Sequence, residues 1–100
     1  MNRLIPTPTM GEILEEEFMK PMNLSAYRVA QETHVPASRI QDILHNRRKM
    51  TADTSIRLGR FFGVSDRFFL DIQNDIDIRE LREKLDGEFT TIKPYQAIAI

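Results

Sequence analysis

The chain has 100 residues, of which 41% are hydrophobic and 29% charged, and its formal net charge is −1. That length fits one domain with one core, and there is no apolar run of about 18 residues that could span a membrane. The first eight residues lack the apolar stretch of a signal peptide, and there is no cysteine, so a disulfide-free cytoplasmic protein is expected.

Residues 1–8 read as a short proline-containing arm. Thr9 and Glu12 have the spacing of a capping box and open a first helix. Met10, Ile13, Leu14 and Phe18 are its apolar stripe. Glu15, Glu16 and Glu17 form a solvated acidic face on it. Pro21 ends this helix, because it cannot continue the backbone ladder. Ser25 then caps a second helix.

The segment from Ala26 to Arg47 carries the most information. It reads as two short amphipathic helices joined by a tight turn. Val29 and Ala30 lie on the inner face of the first, and Ile40, Ile43 and Leu44 on that of the second. Ala30 lets the two backbones approach, and Val35 fills the wedge at the turn. His34 stands where the chain needs a positive φ; histidine is one of the few residues besides glycine enriched there. Pro36 opens the second of the pair. Asn46 is expected in the left-handed region at its end. This is the pattern of a helix-turn-helix, whose second helix enters the DNA major groove.

Thr51 caps a fourth helix that runs to about Phe62, with Ser55, Leu58, Gly59 and Phe62 facing inward. Gly59 suggests a close approach between helices, and Gly63 ends the element. Ser65 is expected to cap a fifth, longer helix, with Val64 and Phe69 as a hydrophobic staple. Phe69, Ile72 and Ile76 form one stripe. Ile78, Leu81 and Leu85 extend it with a phase shift, and Gly87 closes the helix. The expected division is an arm over 1–8, a helical domain over 9–85 and an irregular or strand-like tail over 86–100. The tail holds Phe89, Ile92, Tyr95, Ile98 and Ile100.

Charge is unevenly spread. Residues 39–60 hold six cations against Asp42 and Asp53, a local +4, which leaves −5 for the rest of the chain. A local basic face suffices for phosphate contacts. By position in the motif, Ala37, Ser38, Arg39, Gln41 and Asp42 are the candidates for reading bases. Arg39 suits guanine, and Gln41 suits adenine or a phosphate. Asp42 can accept from cytosine or hold Arg39 at i,i+3. Ser25, Asn46, Arg47, Arg48 and Lys49 are the candidates for phosphate contacts. One such unit reads only a half-site, so a dimer is expected. Phe61 and Phe68, which lie off the inward stripes, are its candidate interface.

Five helices in this order resemble the all-α lambda-repressor-like fold. Four segments resemble HigA-type antitoxins, which include virulence-associated protein I. They are Pro8–Phe18, Leu24–Ala30, Asn46–Gly63 and Phe68–Asp77. The first matches that family's "PGEIL-x-x-EF" opening except that Thr9 and Met10 stand between Pro8 and Gly11. The last matches "FWLNLQ-x-x-YD" with Phe69 for tryptophan and Ile76 for tyrosine. The resemblance covers about residues 8–85. It implies a dimer that represses its own toxin–antitoxin operon on a palindromic operator. It also implies a protein partner, a small basic RelE-type ribonuclease that the antitoxin neutralises. A free-standing or phage-type repressor is the alternative, and a protein-interaction module without DNA binding is a third reading. No catalytic constellation is present, so an enzyme is not expected. His34 and His45 stand eleven residues apart with no cysteine, so neither a metal nor another cofactor is expected.

Overall fold

In a computed structural model that describes residues 7–96, three helices begin on a hydroxyl that accepts a free backbone N–H. α1 (Met10–Ile13) opens on Thr9, whose Oγ1 accepts from Glu12 N at 3.1 Å while Glu12 Oε1 accepts from Thr9 N at 3.0 Å. α2 (Ala26–Thr33) opens on Ser25, which accepts from Arg28 N at 3.1 Å. α3 spans Ala37–Leu44. α4 (Ala52–Phe62) opens on Thr51, which accepts from Thr54 N, and ends at Gly63 with φ 80°. α5 spans Phe68–Phe89. All-α architecture with a helix-turn-helix at α2–α3 is therefore observed.

α1 does not stay α-helical. It passes without a break into a π-helical stretch, Leu14–Met19. The Lys20 N–H donates to Glu15 O, five residues back, at 2.8 Å. A five-residue hydrogen bond widens the turn and brings residues five apart toward one face. Leu14 and Met19, five apart, are both buried. The element ends ahead of Pro21, and Asn23, at φ 55°, reverses the chain.

The α2–α3 turn forms as the residues predict. His34 adopts φ 62° and ψ 44°, and Val35 N donates to Ala30 O at 3.0 Å. Val29, Ile40 and Ile43 are fully buried, and Ala30 is nearly so. Pro36 occupies the cap of α3, one position before the first helical residue. Asn46, at φ 61°, turns the chain after α3.

Two glycines permit close backbone contacts. A Cβ on Gly11 would overlap the Leu44 carbonyl oxygen, so α1 meets the end of α3 backbone to backbone. A Cβ on Gly59 would lie 2.5 Å from Ser65 O. The close neighbour of Gly59 is thus the α4–α5 turn, not another helix.

The start of α5 differs from the sequence expectation. Its cap position is Arg67, and no side chain next to it in sequence serves as cap. Ser65 contributes its carbonyl, which accepts from Phe68 N at 3.1 Å. The hydroxyl for this end comes from Ser55 on α4. Its Oγ donates to Asp66 O at 2.7 Å and accepts from Leu70 N at 3.0 Å. Buried Gln73 ties α5 to the α3–α4 loop, its Oε1 accepting from Met50 N at 2.9 Å.

The end of α5 also differs. The helix runs through Gly87 to Phe89, with a kink at Leu85 (φ −121°, ψ 22°). Nothing within 4 Å opposes a side chain at Gly87, so no contact forces a stop there. Residues 86–89 are helical, no strand occurs among the described residues, and 92–96 have no regular structure. Ile98 and Ile100 lie outside the described residues, as do the first six of the arm. Phe69 and Ile76 are buried, but Ile78 and Leu81 are 47% and 48% exposed. The core ends at Ile76, and the rest of α5 runs past it. The radius of gyration is accordingly 17.5 Å, against about 13 Å for a compact chain of this length.

Replacing Gly11 by alanine should lower stability by about 1–3 kcal/mol or more, because backbone opposes the new methyl. The same change at Gly87 should raise stability by about 0.5–1 kcal/mol. Urea unfolding of both variants checks the pair; equal effects would contradict the Gly11–Leu44 contact.

Asp66 gives a second expectation. Arg60 grips its carboxylate with Nε at 2.8 Å and Nη2 at 3.0 Å. The Arg60 hydrogen bonds hold the Asp66 carboxyl below its ordinary value of 3.8. A depressed carboxylate adds stability above its unfolded value, and this is lost as pH falls through the folded one. Asp66→Asn should therefore show a smaller drop in Tm than the parent when pH is taken from neutrality to below 3.8. Parallel melting curves would remove the ion pair from the account.

Candidate nucleic-acid interface

α3 is a helix with one buried side and one open side. Ile40 and Ile43 face the core, with Ser38 and Arg39 ahead of them and Gln41 and Asp42 between them. Ser38 and Gln41 are exposed. Ala37 is half-buried and packs against the core, so less of it is open than the sequence position suggests. Arg39 and Asp42 are half-buried. They do not pair with each other. Arg39 Nη1 donates to Asp53 Oδ2 at 2.9 Å, and Asp42 Oδ1 accepts from Arg47 Nε at 3.0 Å. The i,i+3 pair fails because Asp53 and Arg47 supply nearer partners.

The phosphate candidates fall into two groups. Ser25 stands at the start of α2 with Oγ engaged by Arg28 N. Asn46 is already committed: its Oδ1 accepts from Gly11 N at 3.2 Å, so its side chain caps α1 while its backbone makes the turn. Lys49 reaches Asp77 Oδ1 at 3.0 Å. Arg47 holds Asp42 as described. Arg48 is exposed and makes no ion pair among the described residues.

The basic excess is therefore smaller in space than along the sequence. Lys49 meets Asp77, and Arg60 meets Asp66, both from outside residues 39–60. The six cations thus stand among four carboxylates, Asp42, Asp53, Asp66 and Asp77, a net of +2. The pairs of Arg47, Lys49 and Arg60 each have an exposed cation, so each is a weak tie that a phosphate can replace, whereas the Arg39 side chain, 28% exposed, is more enclosed.

Sequence reasoning did not single out three residues that lie beside the candidate contacts. Asp53 and Arg57 both contact the interface, and their i,i+4 spacing on α4 was the available signal. Tyr27, on the first turn of α2, is 68% exposed, and only its place beside Ser25 could have marked it.

Phe61 and Phe68 are half-buried by rings of their own chain. Phe61 meets Phe62 at 4.9 Å between centroids, and Phe68 meets Phe69 at 5.2 Å and Phe18 at 5.8 Å. More exposed apolar groups stand on the outer part of α5, where Ile78, Leu81 and Phe89 line one groove, and outside α5 at Met22, Tyr27, Ile56, Ile92 and Tyr95. No cluster of three or more potential metal ligands occurs among the described residues, and no helix there is long and apolar enough to cross a membrane.

The fold and the open face of α3 define a helix-turn-helix protein of the DNA-binding type. Comparison with known proteins narrows this. No family model matches the chain. Virulence-associated protein I of Dichelobacter nodosus is 44% identical over 75 residues, covering 75% of this chain and 69% of the relative. A HigA-family addiction module antidote protein from Coxiella burnetii superposes with a TM-score of 0.82 at 34% identity, over 91% of this chain and all of the other. The Pseudomonas aeruginosa antitoxin HigA, solved with the higBA promoter, gives a TM-score of 0.82 at 28% identity over 91% of this chain and all of its own. The chain belongs to the HigA family of helix-turn-helix antitoxins, together with virulence-associated protein I.

Among the described residues Arg48 has no carboxylate to release, so its alanine variant tests backbone contact most directly. Arg48→Ala should weaken binding to all DNA sequences alike and reduce the slope of log K against log salt by about 1. A salt titration of both proteins reads this, and an unchanged slope would place Arg48 off the DNA.

Proposed function

We propose that the chain is the antitoxin of a type II toxin–antitoxin pair. In this reading it binds the operator of its own operon as a dimer and represses it. It also neutralises a RelE-like ribonuclease. One observation carries the DNA half: Ser38 and Gln41 are exposed on α3 beside half-buried Arg39, while Ile40 and Ile43 face the core, in a fold shared with an antitoxin solved with a promoter. The first residues of the second helix are those that meet base edges in this motif.

Dimerisation follows from the short reach of one unit. Phe61 and Phe68 are one candidate interface, and the groove of Ile78, Leu81 and Phe89 is the other. The toxin half rests on family membership, supported by the −3 balance left outside the cluster of six cations and four carboxylates, which suits a basic partner. Arg39 is assigned to base reading, with Ser38, Gln41 and Asp42 beside it and Ala37 at the edge. Ser25, Arg47, Arg48 and Lys49 are assigned to phosphates, with Asn46 shaping the loop that carries the last three.

The test is a titration of the full chain against the DNA immediately upstream of its own gene, at two salt concentrations, with random DNA as competitor. Tight, salt-dependent binding at two chains per operator is expected. Binding no better than to random DNA would refute repression. Co-expression with the neighbouring reading frame should relieve its toxicity, and failure to do so would leave a repressor without a toxin partner.

A further inference from the structure

We propose that Asp53 is a positioning residue for base recognition, holding the Arg39 guanidinium in place from α4 while Arg57 anchors Asp53 to the α2–α3 turn. The inference rests on the DNA-binding reading above.

A single carboxylate oxygen joins three elements. Asp53 Oδ2 accepts from Arg39 Nη1 on α3 at 2.9 Å and from Arg57 Nε on α4 at 3.0 Å. Arg57 is fixed at its other end, where Nη1 donates to Thr33 O at 3.1 Å and to His34 O at 3.4 Å. Those carbonyls close α2, where a cation is favoured by the helix dipole. Arg57 hydrogen bonds, and then those of Arg39, hold the Asp53 carboxyl below its ordinary value, so it is charged at neutral pH.

A lone surface pair would position nothing, since such ties are weak. Two features separate this one. Arg39 is the most enclosed arginine among the ion pairs, its side chain 28% exposed against 58% for Arg47 and 73% for Arg60. Its partner is itself anchored on the turn that sets the angle of the recognition helix. Arg39 also spends only Nη1 on Asp53. The rest of the guanidinium keeps enough N–H groups for the two-point contact with guanine O6 and N7. Restraint before binding reduces the ordering cost at the interface.

Asp53 has two opposed effects on DNA, and these make the test specific. Its charge repels phosphate at every sequence. Its hold on Arg39 matters only where a base is read. In Asp53→Asn, binding to random DNA should hold or tighten, because a negative charge is gone. The ratio of operator to random affinity should fall about five- to tenfold. In an Arg39→Ala background the same change should leave that ratio within about twofold, because coupled residues lose their effect together. Arg57→Lys, which keeps the charge but cannot reach both Asp53 and the turn, should lower the ratio in the same direction. Circular-dichroism melts confirm that all variants are folded at the titration temperature.

An unchanged ratio in Asp53→Asn overturns the proposal. So does an equal fall with and without Arg39. If the parent discriminates its operator but Arg39→Ala does so equally well, the positioning role is lost while DNA binding stands. If the parent itself fails to discriminate, the DNA-binding reading falls first and the positioning role with it.

Discussion

The placement of α3 depends on how closely the start of α1 can approach its end. Gly11 faces the Leu44 carbonyl with no room for a methyl, and Asn46 reaches back to cap the Gly11 N–H. The contact is backbone against backbone, so it cannot relax by turning a side chain. It fixes one end of α3, and the buried pair Ile40 and Ile43 fixes its roll. The other end is set at the turn, where His34 takes the left-handed conformation and Arg57 covers the last carbonyls of α2. The open face of α3 is thus what remains after three constraints, each made by a different element. A face built this way is positioned by the fold itself, as accurate recognition needs.

Much of this was legible in the sequence because it is local. The Thr9, Ser25 and Thr51 caps, the left-handed His34 and Asn46, and the stop at Gly63 are short-range chemistry and occur as expected. What sequence could not show depends on long-range partners. Ser65 has the composition of a cap, but Ser55, ten positions earlier, supplies the hydroxyl through the fold. Asp42 has the spacing to hold Arg39, yet Asp53 and Arg47 arrive from elsewhere and separate them. The π-helical turn over Leu14–Met19 left no mark in an apolar stripe read at an α-helical period. Gly87 resembles a helix end, but the helix has left the core before reaching it, and no packing decides where it stops.

Electrostatics links the fold to the interface in a way that charge counting misses. The sequence suggests a basic stretch of +4, whereas in space most of its cations already have carboxylate partners. The pairs of Arg47, Lys49 and Arg60 do not exclude DNA, since the cation of each is exposed and cheap to exchange. They do change what each cation contributes. In the proposed reading Arg48, unpaired among the described residues, adds its full charge to a phosphate. Arg47 and Lys49 must first leave Asp42 and Asp77, and each then leaves an uncompensated carboxylate near the DNA. Partial pairing therefore limits affinity for arbitrary sequences more than it limits affinity for one whose bases also engage α3. In the proposed reading a domain of formal charge −1 discriminates between DNA sequences without holding all of them tightly. Specificity is a difference between two affinities; in the proposed reading the carboxylates that hold Arg47 and Lys49 act on the weaker of the two, and Asp53 acts on both.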